Sequence, residues 1–340
     1  MKTLIHSLLC LCVLAGALSA ASAAGDGSAQ SALDTERALS RLLARLDEAG
    51  GEDPGTLRRL ELRLRLHPEL VDALPALLRA DAVSDGTAAS VLRKLEVVGT
   101  PRAQAALVRV AGDEGQSAMD RTRALVALGG LTEPTPETLA ALGKVFRLRG
   151  TPAERDRSNT AVLSLGALGH RLARSGDTAR AAAVRGELLR ELAAGRDPLE
   201  RAIVLKALGN LRDPSTAGAV QPLVVDESAV VRAAAAATLG RLGDPAAAPL
   251  LSARLVDEPR GIVRAALAGA LEDLASDDPG VLELARRQLL AEEHDVARRR
   301  LAAYLVNHVD AVPRLRETLT ALRVSDPSPA VRAELDAVLR

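Results

Sequence analysis

Aromatic residues are almost absent from this 340-residue chain. Phe146 and Tyr304 are the only two, although hydrophobic residues make up 48% of the sequence. A compact core of this size normally contains several large rings, which contribute most to burial. Leu, Ala and Val must therefore fill the interior, and this composition favours thin layers of closely packed helices.

Cysteine is also scarce, and both copies, Cys10 and Cys12, lie in one N-terminal apolar run. Lys2, the apolar run over 4–18 and the small residues of 21–23 together are typical of a cleavable signal peptide. Leu9 and Leu11 stand where a lipoprotein needs a small residue before its cysteine. We predict a signal peptide over 1–23 and a mature chain, periplasmic or secreted, without thiols or a membrane span. An uncleaved signal anchor is the alternative.

No excess of either charge is present, since Lys and Arg number 44 and Asp and Glu number 44. This balance argues against broad electrostatic binding to nucleic acid or to an anionic lipid surface. We predict no nucleic-acid partner and no cofactor. Lipid binding stays open, but the composition gives no indication of it.

Internal repetition is the strongest positive signal. An Arg near the start of an apolar helix is followed seven residues later by Leu, at intervals of 31, 32, 34 and 34 residues. The earlier Arg121 has the same relation to Leu128, whereas Ser158 replaces the Arg before Leu165. The repeated arginines of the second half are Arg201, Arg232, Arg264, Arg298 and Arg332.

A turn recurs with the repeat. Leu211-Arg212-Asp213-Pro214 matches Leu242-Gly243-Asp244-Pro245, and Val98-Gly99-Thr100-Pro101 and Leu131-Thr132-Glu133-Pro134 are variants. The polar residue can cap the next helix, and Pro fits its first position. The turn predicts a first helix over 215–225 and a second over 229–242. Short helices are stable only when stacked pairs bury a shared apolar stripe.

The repeat resembles the HEAT family in its short bacterial form. Asp226 and Arg232, and likewise Asp326 and Arg332, stand six residues apart like the family's inter-helix Asp and Arg. The resemblance implies an all-α superhelix, an α-α solenoid of about seven to eight helix pairs. Second helices would line its inner curve. We predict a flexible N-terminus over 24–34 and a HEAT-like domain over 35–340, with a helix from Thr35 to Leu46.

A narrower stretch, about 160–215, is similar to the helical domain of vitellogenin-like large lipid transfer proteins. The resemblance rests on Leu205-Lys206-Ala207-Leu208-Gly209-Asn210 before Pro214-Ser215, and on the segment Leu163 to Gly169. The β-barrel and lipid-holding sheets of that family have no counterpart in this sequence. The resemblance therefore does not carry lipid transport over to this chain.

No arrangement of residues predicts catalysis. His294 and His308, with Glu292 and Glu293 nearby, admit a metal site, but solvated side chains are the simpler interpretation. Adjacent carboxylates on a turn do not face each other across a cleft, as catalytic pairs do. Negative charge at a helix start explains them better. We predict a non-enzymatic protein without a metal.

The alternating arginines of 58–65 admit a strand, but Ala and Leu nearby favour helix. Polar residues nine after each repeated Arg should project near the inner curve, and we expect Lys206 to join them. We predict that this row contacts a protein or peptide partner; its members are Lys206, Asn210, Arg241, Asp273 and Asn307. The alternatives are a lipid-associated module, which requires an exposed Leu/Val trough, and a HEAT-type lyase.

Overall fold

The computed structural model describes residues 26–79, 83–148, 150–195 and 197–339, and all regular structure there is helical. The predicted signal peptide, 1–23, lies outside these residues. The chain divides into two compact units, residues 1–172 and 173–340. The predicted all-α repeat fold is confirmed. The described residues contain eighteen α-helices, which follow one another in consecutive pairs.

Unit 1 contains the first eight α-helices, and a 3-10 segment, Pro68–Ala73, leads into the third. Their bounds are α1 Asp26–Glu48, α2 Pro54–Leu66, α3 Leu74–Leu77, α4 Asp85–Val98, α5 Pro101–Gly112, α6 Ala118–Gly130, α7 Pro136–Phe146 and α8 Pro152–Arg174. The last of these ends just beyond the unit boundary.

Unit 2 contains ten α-helices, in five consecutive pairs. Their bounds are α9 Thr178–Ala194, α10 Pro198–Leu211, α11 Ala217–Val220, α12 Ala229–Leu242, α13 Ala248–Asp257, α14 Gly261–Leu274, α15 Pro279–Ala291, α16 Asp295–Val306, α17 Pro313–Ser325 and α18 Pro329–Val338. The even-numbered helices are the second helices of the pairs and carry the repeated arginines.

The recurrent turn works as its residue types predict. Asp213 and Asp244 each accept a hydrogen bond from the backbone N–H two residues on, and Pro follows at the first helical position. Gly243 ends α12 in the left-handed conformation (φ 72°), and Arg212 adopts the same conformation (φ 52°) after α10. The chain therefore reverses within a few residues, so the next helix starts where the previous one stops.

Three local predictions need correction. The helix predicted over 215–225 is divided into 3-10 and α segments, because Pro222 has no N–H and its ring disrupts a regular helix. In unit 1, Thr135 and Pro136 start α7 in place of the predicted Glu133 and Pro134. Helix α1 begins at Asp26 rather than Thr35, since the Ala-containing stretch before Thr35 also favours helix. The predicted helix 229–242 matches α12, and α2 is helical as predicted.

Small residues let the second helices of unit 2 pack closely side by side, α10 with α12, α12 with α14 and α14 with α16. A Cβ on Gly240 of α12 would lie 2.8 Å from the Cα of Ala270 on α14, so the glycine is a requirement of this contact. Tyr304 on α16 is fully buried and donates a hydrogen bond to the Ser276 carbonyl at 2.6 Å. Burial raises the pKa of its hydroxyl to about 12.

Among the helices that the structure describes, none has the length and apolar character needed to cross a membrane.

Candidate interaction surface

A repeated guanidinium contact holds four of the five pairs of unit 2 together, each at the turn between its two helices. Nη1 of Arg232 donates to the backbone carbonyls of Asp226 and Glu227, at 2.8 and 3.0 Å. Nη1 of Arg264 does the same to Glu258 and Pro259, at 3.0 and 3.1 Å. Arg298 bonds the carbonyl of Glu292, and Arg332 that of Asp326. Each arginine thus satisfies carbonyls that the end of the first helix leaves open.

Four repeated arginines also reach forward to the next pair, namely Arg201, Arg232, Arg264 and Arg298. Their guanidinium groups bind a carboxylate 25 to 28 residues later in the chain, in the turn of the following pair. The four nitrogen–oxygen contacts are Arg201–Asp226 at 2.5 Å, Arg232–Glu258 at 2.8 Å, Arg264–Glu292 at 2.6 Å and Arg298–Asp326 at 2.7 Å. We call this set of contacts the arginine ladder.

Each ladder carboxylate also organises the start of its own second helix. Its oxygen accepts the backbone N–H two residues later, at 2.8 to 3.0 Å, in the turns that begin at Asp226, Glu258, Glu292 and Asp326. The side chains of Glu258, Glu292 and Asp326 have no exposed surface. One acidic residue therefore joins two repeats and fixes a helix start.

Burial and hydrogen bonding act in opposite directions on the ladder glutamates. Burial by itself would raise the pKa of Glu258, but hydrogen bonds from Arg232 and the Arg260 backbone N–H outweigh it and lower the pKa. The same balance, with Arg264 and the His294 N–H as donors, lowers the pKa of Glu292. Both carboxylates are therefore held in the charged form that the arginines need.

The structure changes the meaning of the six-residue spacing seen in the sequence. Arg232 contacts the backbone carbonyl of Asp226, whereas its ion pair is with Glu258 of the next repeat. The Asp226 carboxylate pairs with Arg201 instead. Sequence reasoning missed Glu258 and Glu292 as ladder members. They stand six residues before Arg264 and Arg298, so reading Glu as equivalent to Asp would have found both.

The ladder is not continued by the corresponding residues of unit 1. Nε of Arg121 is buried without a hydrogen-bond partner. Ser158, which replaces the repeated Arg in α8, donates to the Phe146 carbonyl at 2.5 Å. Gly115 stands two residues before the cap of α6, where the ladder carboxylate would be.

The row of residues predicted to contact a partner lies on the second helices of unit 2. Lys206, Arg241, Asp273 and Asn307 are exposed, and Asn210 is half-buried. Arg241 donates to the side-chain oxygen of Asn210 at 3.0 Å, so two neighbouring repeats meet in this row. The row is polar and of mixed charge along the described part of the unit.

A second surface, which sequence reasoning missed, follows the ladder. Ten large apolar side chains are exposed in the described part of unit 2, and eight of them flank the ladder turns; Leu250 and Val338 are the other two. Each of the eight stands one or two residues before a ladder Arg or a ladder carboxylate. They are Leu199, Val225, Val230, Val256, Ile262, Leu290, Val296 and Val324. We call these eight residues the ladder edge.

Acidic side chains border this apolar surface. Glu227, Asp257, Glu293 and Asp295 are exposed in or beside the ladder turns, together with one exposed base of the turns, Arg260. The signal for the surface is present in the sequence, since a Leu, Val or Ile stands two residues before Arg201, Arg232, Arg264 and Arg298. Its exposure could be recognised only once the direction of each helix was known.

The histidines take part in helix packing instead of forming a metal cluster. Nδ1 of His294 accepts the Ala297 N–H at the start of α16. The ring of His308 lies against Tyr304, with 5.1 Å between the ring centroids, and its nitrogens lie near the carbonyls of Tyr304 and Ala275. Among residues with a described position, no three His, Cys, Asp or Glu side chains are grouped to hold a metal ion.

Residues 186–272 match the family model described as HEAT repeats. This stretch includes the first two ladder contacts. No curated protein sequence matches the chain.

Solved structures resemble the chain at low sequence identity. Lipovitellin, in a structure of its lipid–protein interactions, aligns over 90% of this chain with 18% identity and a TM-score of 0.57. A Kap121p mutant aligns over 88%, with 17% identity and a TM-score of 0.57. Human deoxyhypusine hydroxylase, in complex with glycerol, aligns over 91% with 22% identity, but its TM-score of 0.31 is too low to support an inference.

The chain spans about a third of the lipovitellin and Kap121p chains, 32% and 35% of their lengths. At these identities the likeness shows the fold alone. Both resemblances noted in the sequence are therefore confirmed at that level, and residues 186–272 are matched to HEAT repeats by sequence as well.

Proposed function

We propose that this chain is an exported, non-catalytic scaffold that binds a protein partner through unit 2. The observation that carries the proposal is the ladder edge. Monomeric proteins rarely expose a contiguous apolar surface unless another molecule covers it. Here eight of the ten exposed large apolar side chains described in unit 2 lie along one line of turns.

The arginine ladder supports this function because it fixes the spacing of the turns that the ladder edge flanks. Helices in contact lie about 8–10 Å apart, so four successive second helices extend over roughly 30 Å. A partner with apolar side chains along one face matches such a surface. The acidic border, Glu227, Asp257, Glu293 and Asp295, favours a protein segment with basic flanks over an anionic lipid surface.

The polar row predicted from the sequence contributes a second contact in this proposal. Lys206, Asp273 and Asn307 are exposed on the same second helices that carry the edge residues at their starts. Apolar anchors supply most of the binding free energy at interfaces, whereas rim polar groups mainly set specificity. We therefore assign the larger effect on affinity to the ladder edge.

The test is affinity capture from the exported fraction with the immobilised mature chain, followed by mass spectrometry of proteins and lipids. The edge variant carries Ile262→Ser and Leu290→Ser, and the matched control carries Leu250→Ser and Val338→Ser, which are exposed away from the edge. We expect the wild type and the control to capture the same protein and the edge variant to lose it. Capture that is unchanged in the edge variant, or capture of lipid alone, would refute the proposal.

A further inference from the structure

Unit 1 has a groove between α1 and α2 whose lining is chemically unlike the ladder edge. Its volume is about 330 Å³, within the range of small-molecule sites. The nine lining residues are Ala38, Arg41, Leu42, Arg45, Arg59, Leu62, Arg63, Leu66 and His67. None of them is acidic, although acids and bases are equal in number over the whole chain.

The two helices contribute to the groove in the same way. On α2, Leu62 and Leu66 are one helical turn apart and are 58% and 66% exposed. Arg59 and Arg63 lie beside them at the same spacing. The neighbouring Leu60 and Leu64 point into the core and are fully buried. The exposed leucines are therefore a separate apolar surface rather than part of the packing of unit 1.

Helix α1 repeats this arrangement. Ala38 and Leu42 form its apolar pair, and Arg41 and Arg45 form its basic pair. Like charges one turn apart on a helix repel each other, so a face serving only solubility would alternate acids with bases. Arg65 of α2 shows the contrast, because it faces away from the groove, pairs with Glu61 and bonds the carbonyl of Val97 at 2.8 Å.

We propose that this groove binds a single-chain anionic amphiphile. The alkyl chain would lie along Leu42, Leu62 and Leu66, and the carboxylate or phosphate would contact arginines of the two basic pairs. Planar guanidinium groups bind both kinds of anion through paired hydrogen bonds. The proposal concerns unit 1 and does not depend on the partner proposed for unit 2.

Both the arginines and the leucines of the groove are needed to select the ligand. A nucleic acid would use the arginines but leaves the leucines uncovered, and no Phe, Tyr or Trp lines the groove for base stacking. A neutral lipid would cover the leucines but would give the arginines no anion to bind. An amphiphile with one negative headgroup satisfies both.

The test is isothermal titration calorimetry of the mature chain with laurate below its micelle concentration. Butyrate supplies the headgroup without the chain, and dodecyl maltoside supplies the chain without the charge. We expect laurate to bind once per chain and each control to bind at least about tenfold more weakly, because each lacks one half of the interaction.

Three variants, whose helix content is checked by circular dichroism, locate the site. Arg59→Glu with Arg63→Glu should weaken laurate binding about tenfold or more. Leu62→Ser with Leu66→Ser should weaken it by a similar factor. Arg58→Glu is the matched control, since Arg58 is exposed on α2 but does not line the groove, and it should change affinity less than about twofold.

Equal binding of dodecyl maltoside and laurate would overturn the proposal, as would an equal loss in the Arg58→Glu control. Binding to phosphatidylglycerol vesicles without binding of monomeric laurate would assign the groove to a membrane surface instead. Binding of an acidic amphipathic peptide, with laurate inactive, would assign it to a protein partner. Each of these results contradicts a site for a single amphiphile.

Discussion

Successive repeats are joined by one repeated charged contact in unit 2, whereas unit 1 uses a different polar contact at each step. Four Arg–carboxylate pairs connect residues 201 to 326. In unit 1, Gln104 bonds the carbonyls of Gly99 and Glu133, Gln116 bonds that of Pro75, and the exposed pair Arg109–Asp72 joins α5 to the segment before α3. The repeated chemistry of unit 2 makes its period visible in the sequence.

This difference also explains where the sequence resembles known repeats. The match to HEAT repeats covers 186–272, within unit 2. Gln104 performs the joining role of a ladder pair with one neutral side chain, and it has no counterpart at the same spacing in other repeats. Helices can therefore stack without one particular residue in every turn, provided that the polar groups of the turns are hydrogen-bonded. A repeat period in a sequence is strong evidence of stacked helices, whereas the absence of a period is only weak evidence of another fold.

The largest expected difference between the units concerns loss of a ladder arginine. Arg298→Met leaves the fully buried Asp326 carboxylate without its guanidinium and should cost about 3–5 kcal/mol of unfolding free energy. Arg109→Met, which breaks the pair with the half-exposed Asp72, should cost less than about 1 kcal/mol. Urea unfolding followed by circular dichroism measures both. Equal losses would remove the distinction between the units.

Adding a methyl group between closely packed second helices should destabilise both units. Gly240→Ala places a methyl 2.8 Å from the Ala270 Cα, and Gly129→Ala meets Ser164 at the same distance. Each should lose about 1–3 kcal/mol through overpacking, although Ala normally favours a helix over Gly. Gly218→Ala, with no atom within 4 Å, is the control and should not destabilise the protein. The midpoint of thermal unfolding is measured for the three variants. Equal midpoints in all three would contradict the prediction.

Acid should weaken the ladder turns of unit 2 more than the surroundings of Glu96 in unit 1. The pKa values of Glu258 and Glu292 are lowered in the fold, so their contribution is complete above the ordinary Glu pKa of about 4.3 and is lost as the pH falls through the folded values. Burial raises the pKa of Glu96 in unit 1, so protonation there favours the folded state. Hydrogen exchange at pH 7 and pH 3 should show greater loss of protection in residues 226–328 than around Glu96.

The matched variant for this pH effect carries Glu258→Gln and Glu292→Gln. Neither glutamine titrates, so the stability of unit 2 should depend less on pH between 5 and 3. The free energy of unfolding of the variant at neutral pH should be lower than that of the wild type. A wild-type pH dependence that persists unchanged in this variant would show that other carboxylates control the acid response.

The smallest effect on stability is expected at the ladder edge. Ile262→Ser removes an apolar side chain that is 61% exposed, and the free energy of unfolding should change by no more than about 0.5 kcal/mol. The same change at Leu267, which is 1% exposed on the same helix, should cost about 2 kcal/mol or more. Similar losses of unfolding free energy at both positions would mean that Ile262 packs within the fold and is not free to contact a partner.

Much of the fold could be predicted because turn chemistry and apolar period agree. The Asp–Pro starts and the Leu seven residues after each Arg locate α12 to the residue, and the repeated Arg positions identify the second helices of unit 2. The broken first helix around Pro222 was missed, because the apolar pattern continues across a residue that the backbone cannot accommodate in a regular helix.

The candidate surfaces could be predicted only in part. Arg241, Asp273 and Asn307 are exposed, and their choice rested on their fixed distance from the repeated arginines. Lys206, which we added to this row, is exposed as well. The ladder edge was missed because Val230 and Val231 look alike in sequence, while the structure exposes the first and buries the second. The basic groove of unit 1 was missed because it combines two helices whose relative rotation is not encoded in either one alone.

The claim that the ladder joins the repeats of unit 2 is tested most directly by a double-mutant cycle on Arg298 and Asp326. Unfolding free energies are measured for the wild type, Arg298→Met, Asp326→Leu and the double variant. The account predicts a coupling energy of about 2–3 kcal/mol, because the two groups bind each other with no exposed carboxylate surface. A coupling below about 0.5 kcal/mol, with the single losses simply adding, would contradict it.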